Sequence, residues 1–462
     1  MVEVGARDGG TPDRGAPDRG APDRHDRHAG RPSQVDTRVD HAAQAGQAGD
    51  VDQVGDLGRR GCGGCDDQDE VVRLLDLARR RLHMDLAWLS RFSGDSQVID
   101  VAVGDSDLAA SLPGCRFEYH SSYCARVLDG RLPPLVPNAR ADSRTADLPI
   151  TAELRIGAYV GAPVVLPDGQ VYGMLCCLSH EPEERLRERD AKFLEVLAEV
   201  LSDSVEGMNR RREDRERLRE KIGALIDRGG PTMIFQPVFD LPTHCIVGAE
   251  ALARFPDDGL PPARWFADAA AVGMGVELNL AAIRGALAAL PRFPRGLLLA
   301  VNASPATIAS GRLADLFMEE ARDQTDQLIV EITEQEGIED LASTVTGLDK
   351  LRDMGVRIAV DNVGVAYASL ARLVQIRPEV MKMSPRLTSG VGMDPARLAL
   401  VEALVHFSRR LDSCLVASGV ERPAELRALL RAGVDQAQGD LLAPPGPLPL
   451  PVHGHAPIAA TA

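Results

Sequence analysis

The stretch VRIAVDNVG, Val356–Gly364, decides how the C-terminal half of this sequence is read. It is a short apolar run that ends on a carboxylate, Asp361, and then breaks into a turn at Gly364. Short apolar runs bounded by turn residues read as buried strands. Seven other runs between residues 231 and 440 have the same build: TMIFQPV, CIVGAEAL, GLLLAVNAS, QLIVEITE, EVMKM, SCLVAS and VDQAQG. Between them lie stretches with helical apolar spacing, among them ARWFADAAAV, LNLAAIRGALAAL, LASTVTGLDKLRDM and ARLALVEALVHFSRRL. Eight strands alternating with helices over about 215 residues predict an α/β fold with a TIM-type (β/α)8 barrel.

In such a barrel the chemistry sits at the C-terminal strand ends. Those ends carry Gln236, Glu250, Asn302, Glu331, Asp361, Lys382, Ser418 and Gln438. Three carboxylates and an asparagine converging on one mouth offer hard oxygen ligands suited to Mg²⁺, Mn²⁺ or Ca²⁺. A lysine among them can neutralise a phosphate or orient a water.

These residues resemble the EAL domain, the family of cyclic-di-GMP phosphodiesterases. The naming tripeptide stands as Glu250-Ala251-Leu252; FQPVFD precedes it, and VNASP, VEITE, DNVG, MKM, GVE and AQG follow, all in family order over roughly residues 231–445. The resemblance implies that Glu250, Asn302, Glu331 and Asp361 are ligands to Mg²⁺ or Mn²⁺. It implies that Glu334 steadies the loop after the fifth strand, the one that bears Asp361, and that Lys382 places the attacking water. Gln236, Arg254 and Gln438 would contact the dinucleotide or support the site. A homodimer through the barrel, the N-terminal domain and the connecting helix is also implied.

Three positions depart from the family pattern, and all bear on hydrolysis. The family loop Asp-Asp-Phe-Gly-Thr-Gly is Asp361-Asn362-Val363-Gly364-Val365-Ala366 here, so a metal-region carboxylate has become a neutral amide. Lys-Ile-Asp is Lys382-Met383-Ser384, which removes another acid. Ala-Glu-Gly-Val-Glu is Ala417-Ser418-Gly419-Val420-Glu421, and the family's first glutamate is its general base. Serine accepts no proton near neutral pH unless another base activates it.

The N-terminal half has three parts. Residues 1–68, with their repeated GAPDR unit, have almost nothing to bury and predict a disordered tail. Residues 69–206 predict an α+β unit: a helix, then strands AYVGAPVVL and QVYGMLCCLS about the turn Pro167-Asp168-Gly169, then a long helix. This unit resembles a GAF sensor domain, with SSYCARVL and PPLVPNARAD as its middle region; His120 and Cys124 fall near the place of its ligand pocket, whose ligand the sequence does not name. Residues 207–230 read as a charged helical linker, in which Leu218, Ile222 and Leu225 suit either a short coiled coil or a solvated helix. The barrel domain is placed at 231–447 and a second disordered tail at 448–462.

Composition narrows the function classes. The net charge of −16 argues against nucleic-acid polymers as partners. No apolar run reaches the ~18 residues of a membrane span, and the polar N-terminus lacks a signal-peptide core, which points to the cytoplasm. The eight cysteines are dispersed and read as reduced; Cys62 and Cys65 form a C-x-x-C without a second pair for zinc. No Gly-Gly-Asp-Glu-Phe cyclase signature is present. The expected protein is a cyclic-di-GMP receptor with a GAF input and an EAL barrel that binds without cutting. The alternatives are an active phosphodiesterase giving pGpG and a nucleotide-independent interaction module.

Overall fold

The computed structural model describes residues 63–104, 107–256, 259–333, 341–364 and 369–450. The tail expectations for 1–62 and 451–462, and the expectation for Glu334, lie outside the described residues. The first helix, α1 (Gly63–Leu82), starts ahead of the boundary read at residue 69.

The N-terminal domain is a six-stranded antiparallel sheet. Its strands are β1 (Leu86–Ser93), β2 (Ser96–Gly104), β3 (Arg116–Glu118), β4 (Leu135–Val136), β5 (Ala158–Val165) and β6 (Val171–Ser179), in the order β3-β2-β1-β6-β5-β4. The hairpin between β5 and β6 turns at Gly169, whose φ of 87° favours glycine. Short helices α2 (Asp107–Ser111), α3 (Tyr123–Leu128) and α4 (Pro149–Glu153) cover one face of the sheet. The other face packs α1 and the first half of α5 (Glu188–Asp227), through Leu75, Leu82, Leu194 and Leu201.

Helix α5 is one continuous helix of 40 residues that leads from this domain to the barrel. Its linker seam forms neither a coiled coil nor a solvated face. Ile222 and Leu225 are buried against Trp265, Ala269, Val272 and Leu278, and Leu218 packs at their edge. Barrel helices α6 (Pro262–Ala271) and α7 (Gly275–Leu287) supply those partners. Lys221 lies over the Trp265 ring at 4.1 Å, which Phe255 stacks on as well. The three apolar residues are therefore consumed within the chain.

The barrel strands are β7 (Thr232–Asp240), β8 (Ile246–Arg254), β9 (Leu298–Asn302), β10 (Leu328–Thr333), β11 (Arg357–Val363), β12 (Val380–Met383), β13 (Cys414–Ala417) and β14 (Gln436–Ala437). They close in the order β10-β11-β12-β13-β14-β7-β8-β9. All eight predicted runs are present and close the barrel, and within it β7 runs antiparallel to both β8 and β14. The cause is loop length. Only Leu241–Cys245 separate β7 from β8, and a parallel crossover needs a dozen or more residues.

Candidate functional site

The barrel's inner face is built in two layers. Ala300, Ile329, Ala359, Val380 and Val416 form an apolar floor, with Val238 packed beside them. Side chains two residues apart share a strand face. Two residues beyond the floor on five strands stand Asn302, Glu331, Asp361, Lys382 and Ser418. On β7, which runs the other way, the polar residue instead precedes Val238 by two, and it is Gln236. The register pairs Gln236 with Glu250 directly. Gln236 therefore belongs to the polar layer because its strand is inverted, and it is not at a C-terminal strand end. Glu250 too lies mid-strand, in a β8 that continues to Arg254.

The buried ammonium of Lys382 organises this layer. Its Nζ donates to Glu250 Oε2 and Glu331 Oε2, each at 2.7 Å. Glu250 accepts further bonds from Asn302 Nδ2 at 2.8 Å and Gln438 Nε2 at 2.9 Å. Gln438 also donates to Gln236 Oε1 at 3.0 Å. Glu331 has no such extra donors among the described residues. The two carboxylates consequently separate in acidity, although they share one lysine. Burial works to raise the Glu250 carboxyl, but Lys382 and the two amide donors outweigh it and hold it below its ordinary value. Burial, with the Glu250 charge added, pushes Glu331 up to about 8. Asp361 is raised by its burial and by Glu250, against Lys382. Lys382 keeps its proton firmly; the three carboxylates override its burial.

Local backbone geometry positions the Asp361 loop. A bulge between Val360 and Val363 interrupts the pairing with β12, and Asn362 sits at φ 62°. Asparagine tolerates this left-handed conformation better than most residues. Its side-chain amide donates to Asp361 Oδ2 at 2.9 Å. Ser384 points away from this cluster's chemistry, since its hydroxyl caps the short helix Pro385–Thr388 by accepting the Arg386 amide. The Ser418 hydroxyl oxygen is shut off from solvent and has no hydrogen-bond partner among the described residues. No described carboxylate is bonded to it. Arg254 is exposed at the end of β8, with one guanidinium nitrogen on its neighbour's carbonyl, Ala253 O.

Sequence reasoning missed two members of the site. Asn279, buried on α7, receives the Ser304 amide at 3.0 Å and donates to Asn302 O at 3.0 Å, clamping the end of β9. An asparagine inside the apolar helix LNLAAI was the available signal. Asp440 accepts Gln236 Nε2 at 3.2 Å.

The donor chemistry at this mouth suits a hard divalent cation, as the oxygens of Glu250, Asn302, Glu331 and Asp361 are of the preferred type. The arrangement suits it less. Glu250 and Glu331 both turn to Lys382, and among the described residues no three acidic, imidazole or thiol groups converge as a metal site does.

Fold and mouth together define a closed eight-stranded α/β barrel with one inverted strand and a lysine-centred acidic interior. The chain belongs to the EAL domain family: the family model matches residues 215–445, half of the chain, and the GAF domain model matches residues 68–205. An uncharacterized protein of Sinorhizobium fredii is 30% identical over 241 residues, covering 51% of this chain and 29% of that protein. The probable cyclic di-GMP phosphodiesterase PdeI of Escherichia coli is 28% identical over 227 residues, covering 46% of this chain and 29% of PdeI. The chain thus spans less than a third of the length of either relative. Among solved structures, the calcium and cyclic-di-GMP complex of Klebsiella pneumoniae BlrP1 matches with 27% identity and a TM-score of 0.43, over 46% of this chain and 55% of that one. No helix among the described residues is long and apolar enough to cross a membrane.

Proposed function

We propose that this protein is a cytoplasmic cyclic-di-GMP receptor in which the GAF domain controls an EAL barrel that binds the dinucleotide and hydrolyses it poorly or not at all. The observation that carries this reading is the Ser418 hydroxyl, buried and without a partner among the described residues where the family motif has a glutamate. Loss of a general base forfeits about 10²–10⁴ in rate. The neutral Asn362, and Ser384 committed to a helix cap, take the same direction.

Binding has better support than turnover. Arg254 offers its guanidinium at the rim, and Gln236 and Gln438 form a bonded amide pair at the mouth, able to meet polar groups of a base or phosphate. Mg²⁺ or Mn²⁺ would be held by Glu250, Asn302, Glu331 and Asp361, in competition with Lys382. Such a cation polarises a phosphoryl oxygen when bound. Lys382 orders the two glutamates in its place and compensates the Glu250 charge. The exposed Leu77 on α1 and Val196 and Val200 on α5 support pairing of two copies through the GAF-domain helices. Glu334 would steady the loop beyond β11.

Calorimetric titration with cyclic-di-GMP tests the reading. Wild-type protein and Ser418→Ala are expected to bind alike, whereas Arg254→Ala binds at least about tenfold more weakly, as for loss of a charge-assisted contact. Absence of binding by the wild type would instead point to an interaction module that has given up the nucleotide.

A further inference from the structure

The GAF-type domain holds a sulfur pair that the barrel reading does not use. Cys124, at the start of α3, and Cys176, on the facing side of β6, bring their Sγ atoms to 3.3 Å. Three groups able to donate surround Cys124 Sγ: Gln97 Nε2 at 2.9 Å, Tyr159 Oη at 3.6 Å and the Cys176 thiol itself. Tyr159 Oη also lies 3.3 Å from Cys176 Sγ. Gly161 makes room for this arrangement, since a Cβ there would fall 2.1 Å from Tyr159 Oη.

Next to the pair is a cavity of about 10 Å³, lined by Trp88, Gln97, Tyr123, Cys124 and Tyr159 among others. It accommodates roughly one water-sized molecule. Trp88 is 4% exposed, and its Nε1–H is buried with no acceptor among the described residues. A buried, unsatisfied donor on a residue that lines the cavity suits an oxygen-bearing guest.

We propose that Cys124 and Cys176 form a peroxide-reactive dithiol, with the adjoining cavity as the entry site for hydrogen peroxide. Cys124 Sγ attacks one peroxide oxygen. The S–O bond forms, the O–O bond breaks, and the departing hydroxide leaves as water with the Cys124 proton. Cys176 Sγ then attacks Cys124 Sγ; the S–S bond forms, the S–O bond breaks, and a second water carries off the Cys176 proton. Two thiols and one peroxide give one disulfide and two waters, with two electrons passing from sulfur to oxygen.

The neighbouring Cys177 is an internal contrast. It faces the opposite, helix-covered side of β6, and burial pushes its thiol up to about 12. Burial normally leaves a thiol inert, and Cys177 fits that rule. Cys124 differs: burial acts against it, yet the bonds from Cys176, Tyr159 and Gln97 bring its thiol below the ordinary value. A disulfide would tie α3 to β6 and so record oxidation in the shape of the pocket wall.

The test is peptide mapping of the folded, full-length protein after titration with hydrogen peroxide and quenching by alkylation. The expected product is a Cys124–Cys176 cross-linked peptide pair lighter by two hydrogens, appearing near one equivalent of peroxide. Cys177 stays alkylatable only on unfolding. In Cys124→Ser the cross-link is absent and Cys176 remains reduced; if that variant fails to fold, the wild-type map decides alone. Oxidation of Cys115 or the exposed Cys245 while both pocket thiols stay free would overturn the proposal. So would Cys124 accumulating as a sulfinic acid with Cys176 untouched.

Discussion

Lys382 Nζ and Glu331 Oε2 meet at 2.7 Å inside the closed barrel, where both side chains are almost wholly withdrawn from water. This hydrogen bond, and the Lys382–Glu250 ion pair beside it, set the electrostatics of the mouth. A buried pair is weak evidence for stability, but breaking it from one side leaves charge unpaired. Lys382→Met is expected to destabilise the barrel by roughly 3–5 kcal/mol. Urea unfolding of the purified protein reads the loss, and a shift under about 1 kcal/mol would mean that water reaches these carboxylates freely.

The Glu331 carboxyl makes stability depend on pH. Its folded value of about 8 stands above the ordinary 4.5 of the unfolded chain. Between those values the native state keeps a proton that the unfolded chain has released, so stability is greatest below about 4.5 and falls as pH rises toward 8. Melting temperature against pH, in the presence of chelator, is expected to decline across that window. Glu331→Gln flattens the decline; an equally steep curve in that variant would place the titration elsewhere.

Asn279 supports the site from outside it. Asn279→Ala strips partners from the Ser304 amide and the Asn302 carbonyl and is expected to cost about 1–3 kcal/mol. Asn279→Asp keeps the acceptor for the Ser304 amide and recovers part of the loss. Hydrogen exchange at the Ser304 amide should rise in the alanine variant and stay lower in the aspartate variant; no change in either would leave Asn279 a bystander.

Residues of the mouth were legible in the sequence because each strand announces its end with a polar residue after an apolar run, as Glu331 does in LIVEIT. The inversion of β7 was also written there, in the five residues between Asp240 and Ile246, but a count of strands alone passes over it. Gln236 was placed in the mouth for the wrong reason, as a strand end, when its register against Glu250 puts it there. The division of acidity between Glu250 and Glu331 has no one-dimensional trace. It depends on which carboxylate Asn302 and Gln438 can reach, and that is set by barrel closure. The linker seam misled because a heptad-like trio does not say which surface covers it; Trp265 and Leu278 do, from the chain's own barrel.

Restoring the acids should restore chemistry if their loss is the defect. Ser384→Asp keeps a good helix cap, and Asn362→Asp needs only the conformation asparagine already adopts. The triple variant with Ser418→Glu is expected to produce pGpG at least about 10²-fold faster than the wild type. Equal rates would mean that the defect lies in binding or in metal capture.

The most direct measurement is a single incubation of wild-type protein with cyclic-di-GMP and Mn²⁺ or Mg²⁺, following bound dinucleotide and released pGpG together. Saturable binding with pGpG at or near the uncatalysed background is the predicted result. Release of pGpG at an ordinary enzyme turnover, ~1 s⁻¹ or faster, would contradict the receptor account and show that Ser418 is no obstacle to hydrolysis.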